Sequence, residues 1–114
     1  MAVGIFLAHV RLLAELGYRR LVEKWLLRLY VAGPSGVSAL ARANLERICR
    51  EHVKTGYRID VVDVLKHPTL AREHEVVAVP MVVRESPVPV RKVIGDLSNA
   101  ERALFALKHG AYDV

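Results

Sequence analysis

Two β-rich segments separated by one segment of helical length constrain the fold of this 114-residue chain more than any other feature. The first runs from Trp25 to Ala32 and is stopped by the glycines and proline of residues 33–36. The second runs from Tyr57 to Val64. Between them apolar residues recur at helical spacing, and Ser35 or Ser38 can cap that helix. A crossover of this length predicts two parallel strands joined by a right-handed connection.

The apolar pattern of these segments predicts which positions are buried. One face of the helix carries Leu40, Ala41, Leu45, Ile48, Cys49 and His52 or Val53. The second strand becomes continuously apolar towards Val64, which is typical of a strand that is covered on both sides.

The next part of the chain predicts a short helix followed by two strands. Pro68 suits the first turn of a helix that reaches Glu75. Residues 76–83 form a strongly apolar strand segment, but Pro80 lies in its middle and cannot donate to a sheet ladder. An edge position, a place at the first residue of the strand, or a cis peptide bond each reconciles this proline with a strand. A further strand is predicted at Val90 to Ile94, ended by Gly95.

A last helix is predicted after Gly95. Asp96 or Ser98 can cap it, with Glu101 near its third position. Its apolar stripe is Leu97, Leu104, Phe105 and Leu107.

The element order is therefore βαβαββα, a single α/β domain with a small sheet flanked by helices on both faces. We assign this domain to residues 25–114. Residues 1–24 form a separate N-terminal extension, whose apolar residues recur at helical spacing and predict a helix. Arg11 and Glu15 interrupt its apolar run well before the roughly 20 residues that a membrane span needs. We therefore expect no membrane as partner.

The composition limits the chemistry available to the chain. Cys49 is the only cysteine, which rules out an intramolecular disulfide or dithiol pair and suits a reducing cytoplasm, where we expect the protein. The net charge of +5 permits binding to nucleic acid, but the basic residues are scattered and no aromatic residues alternate with them. A nucleic-acid module is thus an alternative that only the charge supports.

No catalytic, cofactor or metal site emerges from the sequence. The five histidines include no HxH or HxxxH pair, and His67 and His74 have few further ligands nearby, so we expect solvated histidines. Asp60 and Asp63 fall on opposite faces of one strand, and Asp63 is expected to support the turn that follows. Thioredoxin chemistry needs a thiol at the start of the first helix, where this chain has Gly33-Pro34-Ser35-Gly36. Cys49 lies on that helix's apolar face and is expected to be inert.

Four segments in this order resemble the KaiB family, whose domain is thioredoxin-like. They are Leu29-Tyr30-Val31-Ala32-Gly33, the run Ile59 to Pro68, Val79-Pro80, and the run Pro89 to Asn99 that contains Ile94-Gly95-Asp96-Leu97-Ser98-Asn99. The similarity extends from about Leu27 to Leu107.

The resemblance implies a non-enzymatic protein that binds KaiC, a ring-forming ATPase, and that engages a KaiA-like protein or a histidine kinase. It also implies a homo-oligomer, dimer or tetramer, in a ground state from which a monomeric thioredoxin-like state forms by rearrangement of the segment from about Val64 onward. A redox or stress-related protein of thioredoxin fold is the alternative.

The resemblance also points to residues. Arg72, Glu75, Arg91 and Lys92 are candidates for partner binding. The balance between the two folds is expected to depend on Pro80, Gly95, Asp96, Ala106 and Lys108. Where the family usually has Gly-Leu-Asp, this chain has Ala106-Leu107-Lys108, and both changes favour a continuous last helix. We therefore expect a bias towards the thioredoxin-like state.

Overall fold

The computed structural model describes residues 24–110, and the helix predicted within residues 1–24 lies outside them apart from Lys24. The elements are β1 (Trp25–Val31), α1 (Gly36–His52), β2 (Tyr57–Asp63), α2 (Pro68–Glu73), β3 (Met81–Ser86), β4 (Arg91–Ile94) and α3 (Ala100–His109). The predicted order βαβαββα is confirmed.

The four strands form one sheet in the order β2-β1-β3-β4. Strands β1 and β2 are parallel, with Leu29 opposite Val61, so the predicted parallel pair is confirmed. Strand β3 runs antiparallel to both β1 and β4. Strand β1, the first of these four along the chain, therefore lies inside the sheet, and β2 and β4 are its edge strands.

One face of the sheet carries the larger core. Alternate residues of β1, namely Trp25, Leu27, Leu29 and Val31, pack there because side chains of a strand alternate between faces. Helices α1 and α3 cover them with Leu45, Ile48 and Leu107, among others. Burying each such side chain fully contributes about 1.5–3 kcal/mol, so this face supplies most of the driving force for folding.

The opposite face carries a smaller core. Tyr30, Val62, Met81 and Val83 are buried there, and Leu70 and Ala71 of α2 pack against them together with Val64 and Val76. The prediction of helices on both faces is confirmed. Because α2 has only six residues, it covers a limited part of this face.

Serine and asparagine side chains cap the two longer helices. Ser35, one of the two predicted candidates, accepts a hydrogen bond from the Ser38 amide at 3.1 Å at the start of α1. The cap of α3 is Asn99, whose Oδ1 accepts from the Arg102 amide at 3.1 Å. The prediction of Asp96 or Ser98 was wrong because the chain turns once more, at Leu97 with φ of 62°, before the helix begins.

Several predicted boundaries and burials were wrong. Strand β2 is not covered on both sides: it is an edge strand, and its Val61 is exposed. Strand β3 begins at Met81 instead of residue 76, because residues 76–80 form a loop. Helix α2 ends at Glu73, and Glu75 has a positive φ of 52° that is incompatible with a helix.

The predicted apolar stripes also extend too far. Leu40 at the start of α1 and Phe105 on α3 are both exposed. Leu97 is buried as predicted, but it lies in the loop before α3 instead of in the helix. The helical period alone identifies a face, and only the width of the sheet beneath it decides how many residues of that face are covered.

Candidate functional site

The start of α1, where thioredoxins carry their nucleophile, has no thiol in this chain. The Gly33 amide donates to Asp63 Oδ1 at 3.1 Å, and Ser35 caps the helix. Cys49 lies in the core with no exposed surface, and burial raises the pKa of its thiol to about 12. The prediction that this cysteine is buried is confirmed, and its thiolate form is strongly disfavoured near neutral pH.

The second face of the sheet presents an exposed surface around α2. We define the α2 surface as Leu65, Arg72, Glu75, Val77 and Val79, which lie on α2 and on the two loops that flank it. Leu65 is 73% exposed and Val77 is 83% exposed. Large apolar side chains exposed to this degree and grouped beside charges are typical of a binding surface.

A polar cluster below this surface anchors α2 to the sheet. Tyr30 Oη donates to the Leu70 carbonyl oxygen at 3.0 Å and lies 2.6 Å from His74 Nδ1. Arg28 Nη1 donates to Tyr30 Oη at 3.2 Å and forms an ion pair with Glu73 Oε2 at 3.1 Å. The middle and the C-terminal end of this short helix are therefore tied to β1.

The cluster extends to the neighbouring strands. Arg28 Nε lies 3.3 Å from Glu85 Oε1 on β3, and Lys92 Nζ on β4 donates to the His74 carbonyl oxygen at 2.6 Å. The hydrogen bond to Tyr30 raises the pKa of Arg28, against the effect of partial burial, and Glu73 adds to the increase. The guanidinium is thus a permanent charge that orders its neighbours.

Sequence reasoning missed this cluster, and it wrongly predicted that the His74 side chain is exposed to solvent. Its side chain is only 16% exposed, so the expectation of solvated histidines was wrong at this position. His52, His67 and His109 are exposed as expected, and His9 lies outside the described residues. One signal was present: an arginine two residues before a tyrosine in an otherwise apolar strand places two polar groups on one face.

The structure brings three of the four predicted binding residues into one region. Arg72 and Glu75 are exposed on the α2 surface, and Lys92 reaches the backbone of the same loop. Arg91 is separate, because strand alternation sends it to the opposite face, where it lies across from Arg84.

The predicted fold-state residues occupy two places. Pro80, buried and preceded by a cis peptide bond, lies directly before β3, and its carbonyl oxygen accepts from the Gly95 amide at 2.9 Å. The Asp96 carbonyl oxygen accepts from Asn44 Nδ2 at 2.8 Å, which ties this loop to α1. Ala106 is buried on α3, and Lys108 lies in its last turn.

Residues 24–110 contain neither a metal-binding cluster nor a membrane-spanning helix. In that part of the chain no three histidine, cysteine, aspartate or glutamate side chains are grouped closely enough to hold a metal ion. No helix there is both long enough and apolar enough to cross a membrane.

Solved structures show the same fold. The N-terminal domain of Synechococcus elongatus SasA matches with a TM-score of 0.64 and 17% identity, over 81% of this chain and 90% of that one. Mitochondrial thioredoxin 3 of Saccharomyces cerevisiae matches with a TM-score of 0.59 and 23% identity, over 84% and 88%. The domain is therefore thioredoxin-like, as predicted.

Sequence relatives identify the family. The circadian clock protein KaiB3 of Synechocystis is 39% identical over 86 residues, which is 75% of this chain and 84% of the relative. The circadian clock oscillator protein KaiB of Thermostichus vulcanus is 42% identical over 85 residues, which is 75% of this chain and 79% of the relative. The KaiB domain model matches residues 28–109, and the predicted resemblance is thereby confirmed. The chain belongs to the KaiB family of circadian clock proteins.

Proposed function

We propose that this protein binds a KaiC-like ATPase through the α2 surface and thereby modulates the assemblies of that ATPase. The observation that carries the proposal is the exposure of Leu65, Val77 and Val79 beside Arg72 and Glu75, in a chain of the KaiB family.

The chemistry of the α2 surface suits a protein partner. Burying the exposed area of a side chain such as Leu65 or Val77 releases on the order of 25 cal/mol per Å². Charged residues at the margin contribute more to orientation and to the association rate than to affinity. Arg72 and Glu75 thus support a complex whose register depends on charge and whose affinity depends on the apolar residues.

The anchoring of α2 supports the same proposal. Arg28 and Tyr30 hold the helix through contacts of 3.0–3.2 Å, so the surface is ordered before a partner arrives. A pre-organised surface loses less conformational entropy on binding.

We infer that the protein acts by surface complementarity and without catalysis. Its KaiB relatives are clock proteins, and its one thiol is held in the core. The proposal includes the cytoplasm as its place of action, a KaiA-like protein or a histidine kinase as further partners, and a dimer or tetramer in which the segment from Val64 onward is rearranged.

The test is binding to a KaiC-like ATPase from the same genome, with and without ATP and ADP. We expect co-elution on size exclusion that is tighter with nucleotide bound. Val77→Glu places a charge in the contact and should weaken the affinity about tenfold or more. Val88→Glu is the matched control, because Val88 is 70% exposed but lies in the β3–β4 turn.

Two results would contradict the proposal. Failure of the native protein to form a complex with any KaiC-like ATPase of its genome would remove the partner. Equal weakening by the Val77 and Val88 variants would remove the α2 surface as the contact.

A further inference from the structure

The polar cluster beneath α2 contains a histidine, the type of side chain whose charge changes between about pH 5 and 8. His74 directly follows the last residue of α2, and its side chain is only 16% exposed. Its Nδ1 lies 2.6 Å from Tyr30 Oη, and its Nε2 lies 3.9 Å from Glu85 Oε2. Each ring nitrogen therefore faces a polar group of the sheet, one on β1 and one on β3.

The Tyr30 hydroxyl has too few protons for its neighbours when the ring of His74 is neutral. A tyrosine hydroxyl donates one hydrogen bond. Tyr30 Oη lies 3.0 Å from the Leu70 carbonyl oxygen, and it accepts from Arg28 Nη1 at 3.2 Å. If it donates to Leu70, Nδ1 of His74 must carry a proton, and the lone pair of a neutral Nε2 then faces the Glu85 carboxylate. If it donates to Nδ1 instead, the hydrogen bond to Leu70 is lost.

The doubly protonated ring satisfies all of these contacts at once. Nδ1–H then donates to Tyr30 Oη, and the Tyr30 hydroxyl donates to the Leu70 carbonyl oxygen. Nε2–H forms an ion pair with Glu85 Oε2 across 3.9 Å. Interactions of charged donors and acceptors are stronger than those of neutral ones. The imidazolium form of His74 therefore ties the C-terminal end of α2 to the sheet more firmly than the neutral form.

The charges of the cluster also favour the imidazolium. Arg28 of β1 pairs with Glu73 of α2 at 3.1 Å and with Glu85 of β3 at 3.3 Å, so that one positive charge lies between two negative ones. A proton on His74 balances them. Lys92 of β4 opposes this, because its Nζ donates to the His74 carbonyl oxygen at 2.6 Å, but this lysine is exposed and its charge is screened by water and salt.

The remaining charged groups near the cluster occur as opposite charges. On β2, Asp60 lies across from Arg28 and pairs with Arg58 at 3.1 Å. On the solvent side of the ring, Arg72 and Glu75 are both exposed. These groups leave the charge balance of the cluster unchanged.

We propose that His74 is a pH-sensitive latch that holds α2 on the sheet. In the acidic part of the range between about pH 5 and 8 the ring is charged and bridges Tyr30 and Glu85. As pH rises through this range the proton leaves, one contact of the cluster is lost, and the C-terminal end of α2 is held less firmly. Because Arg72 and Glu75 flank the latch in the chain, the order of the α2 surface changes with it. Any effect on ATPase binding rests on the proposed function, whereas the latch itself does not.

The experiment measures local opening at the end of α2 by hydrogen exchange in the full chain, without an ATPase. The amides of Glu75 and Val76 donate to the Arg72 and Ala71 carbonyl oxygens at 3.2 and 3.0 Å, so their exchange reports on this end of the helix. We expect their protection factors, corrected for the intrinsic pH dependence of exchange, to be about threefold or more higher at pH 5.5 than at pH 8. In the same native protein, the shifts of both amides should follow one titration curve with the ring of His74.

Three variants assign the response to the latch. His74→Gln keeps a polar side chain that cannot change its charge, and it should abolish the pH response. Glu85→Gln removes the carboxylate that faces Nε2 and should reduce the response about twofold or more. His67→Gln is the matched control, because this exposed histidine lies at the other end of α2, and it should leave the response unchanged.

Four results would overturn the proposal. A response that persists in His74→Gln would assign it to another group, and equal loss in His67→Gln would show that either histidine can cause it. Protection factors that fall on acidification would make the neutral ring the stronger anchor. Different titration midpoints for the ring and for the two amides would separate the histidine from the helix. Because no ATPase is present, each of these results leaves the proposed function untouched.

Discussion

At the scale of single residues, Asp63 organises the two loops that meet at the end of the parallel strands. Its Oδ1 accepts from the Gly33 amide at 3.1 Å and from the Leu65 amide at 2.9 Å. The expectation that it supports the following turn is confirmed. Hydrogen bonds from these backbone amides, that of Leu65 first, lower the pKa of the carboxyl below its ordinary value.

The first prediction concerns the acid dependence of stability. Because the pKa of Asp63 is depressed in the folded state, its contribution to stability is present above the unfolded value of about 3.8 and is lost as pH falls through the folded value. Asp63→Asn should therefore lower the free energy of unfolding at pH 7. The difference in this free energy between the variant and the native protein should shrink below pH 3.8. Urea unfolding of both proteins from pH 7 to pH 3 measures this difference.

Asp60→Asn is the control for this prediction. Asp60 is half exposed and pairs with Arg58 on the surface of the edge strand, where ion pairs contribute little. A difference in the free energy of unfolding between the native protein and the Asp63 variant that stays constant from pH 7 to pH 3 would contradict the prediction that the Asp63 carboxylate is the stabilising group.

At the scale of elements, α3 is capped by Asn99, which lies one position after Ser98 and three after Asp96, the two residues predicted as caps. Ser98 and Asn99 are both good capping residues, and Asp96 is another. The Asp96 carboxylate instead accepts from the Ser98 amide at 2.9 Å, which closes the loop and leaves Asn99 to cap the helix. Local propensity permits each choice, and the loop decides between them.

The second prediction separates these residues. Asn99→Ala removes the bond to the Arg102 amide and should lower the free energy of unfolding by about 1 kcal/mol. Ser98→Ala should have a smaller effect at pH 7, because the backbone amide of residue 98 still donates to Asp96. If chemical denaturation shows that Asn99→Ala and Ser98→Ala lower the free energy of unfolding equally, both residues contribute to the cap.

The third prediction concerns the end of α3 and the fold-state hypothesis. Ala106→Gly costs about 1 kcal/mol of helix stability, and Lys108→Asp adds a few tenths through the helix dipole. We expect the double variant to populate a second state, visible as new peaks for residues from Val64 onward in two-dimensional NMR. Ala41→Gly, a buried alanine in α1, is the control and should destabilise without producing these peaks. Spectra that stay unchanged in the double variant would count against the hypothesis.

At the scale of the whole molecule, the buried residues described within 24–110 form two core clusters. Their members run from Trp25 to Leu107, on the two faces of one sheet. The KaiB match from 28 to 109 covers the same stretch. We therefore propose that the domain is self-sufficient and that residues 1–24 are an appendage to it.

The fourth prediction tests that boundary. A chain of residues 25–114 should keep the circular dichroism spectrum of the domain and unfold cooperatively, because it contains every described member of both core clusters. Loss of the cooperative transition would show that the N-terminal segment belongs to the core. Sedimentation of both chains at equal concentration controls for a change in oligomeric state.

Local patterns in the sequence were enough to predict the order of the elements, the parallel pair, the family and the absence of a thiol at the start of α1. These features depend on local periodicity, on caps and on short motifs, which neighbours along the chain specify. Three features became evident only in the folded arrangement: β2 is an edge strand, Arg28, Tyr30 and His74 anchor α2, and Arg84 lies opposite Arg91. Those features depend on strand order and register, because pairing brings together residues far apart in the chain and no local pattern encodes the partner.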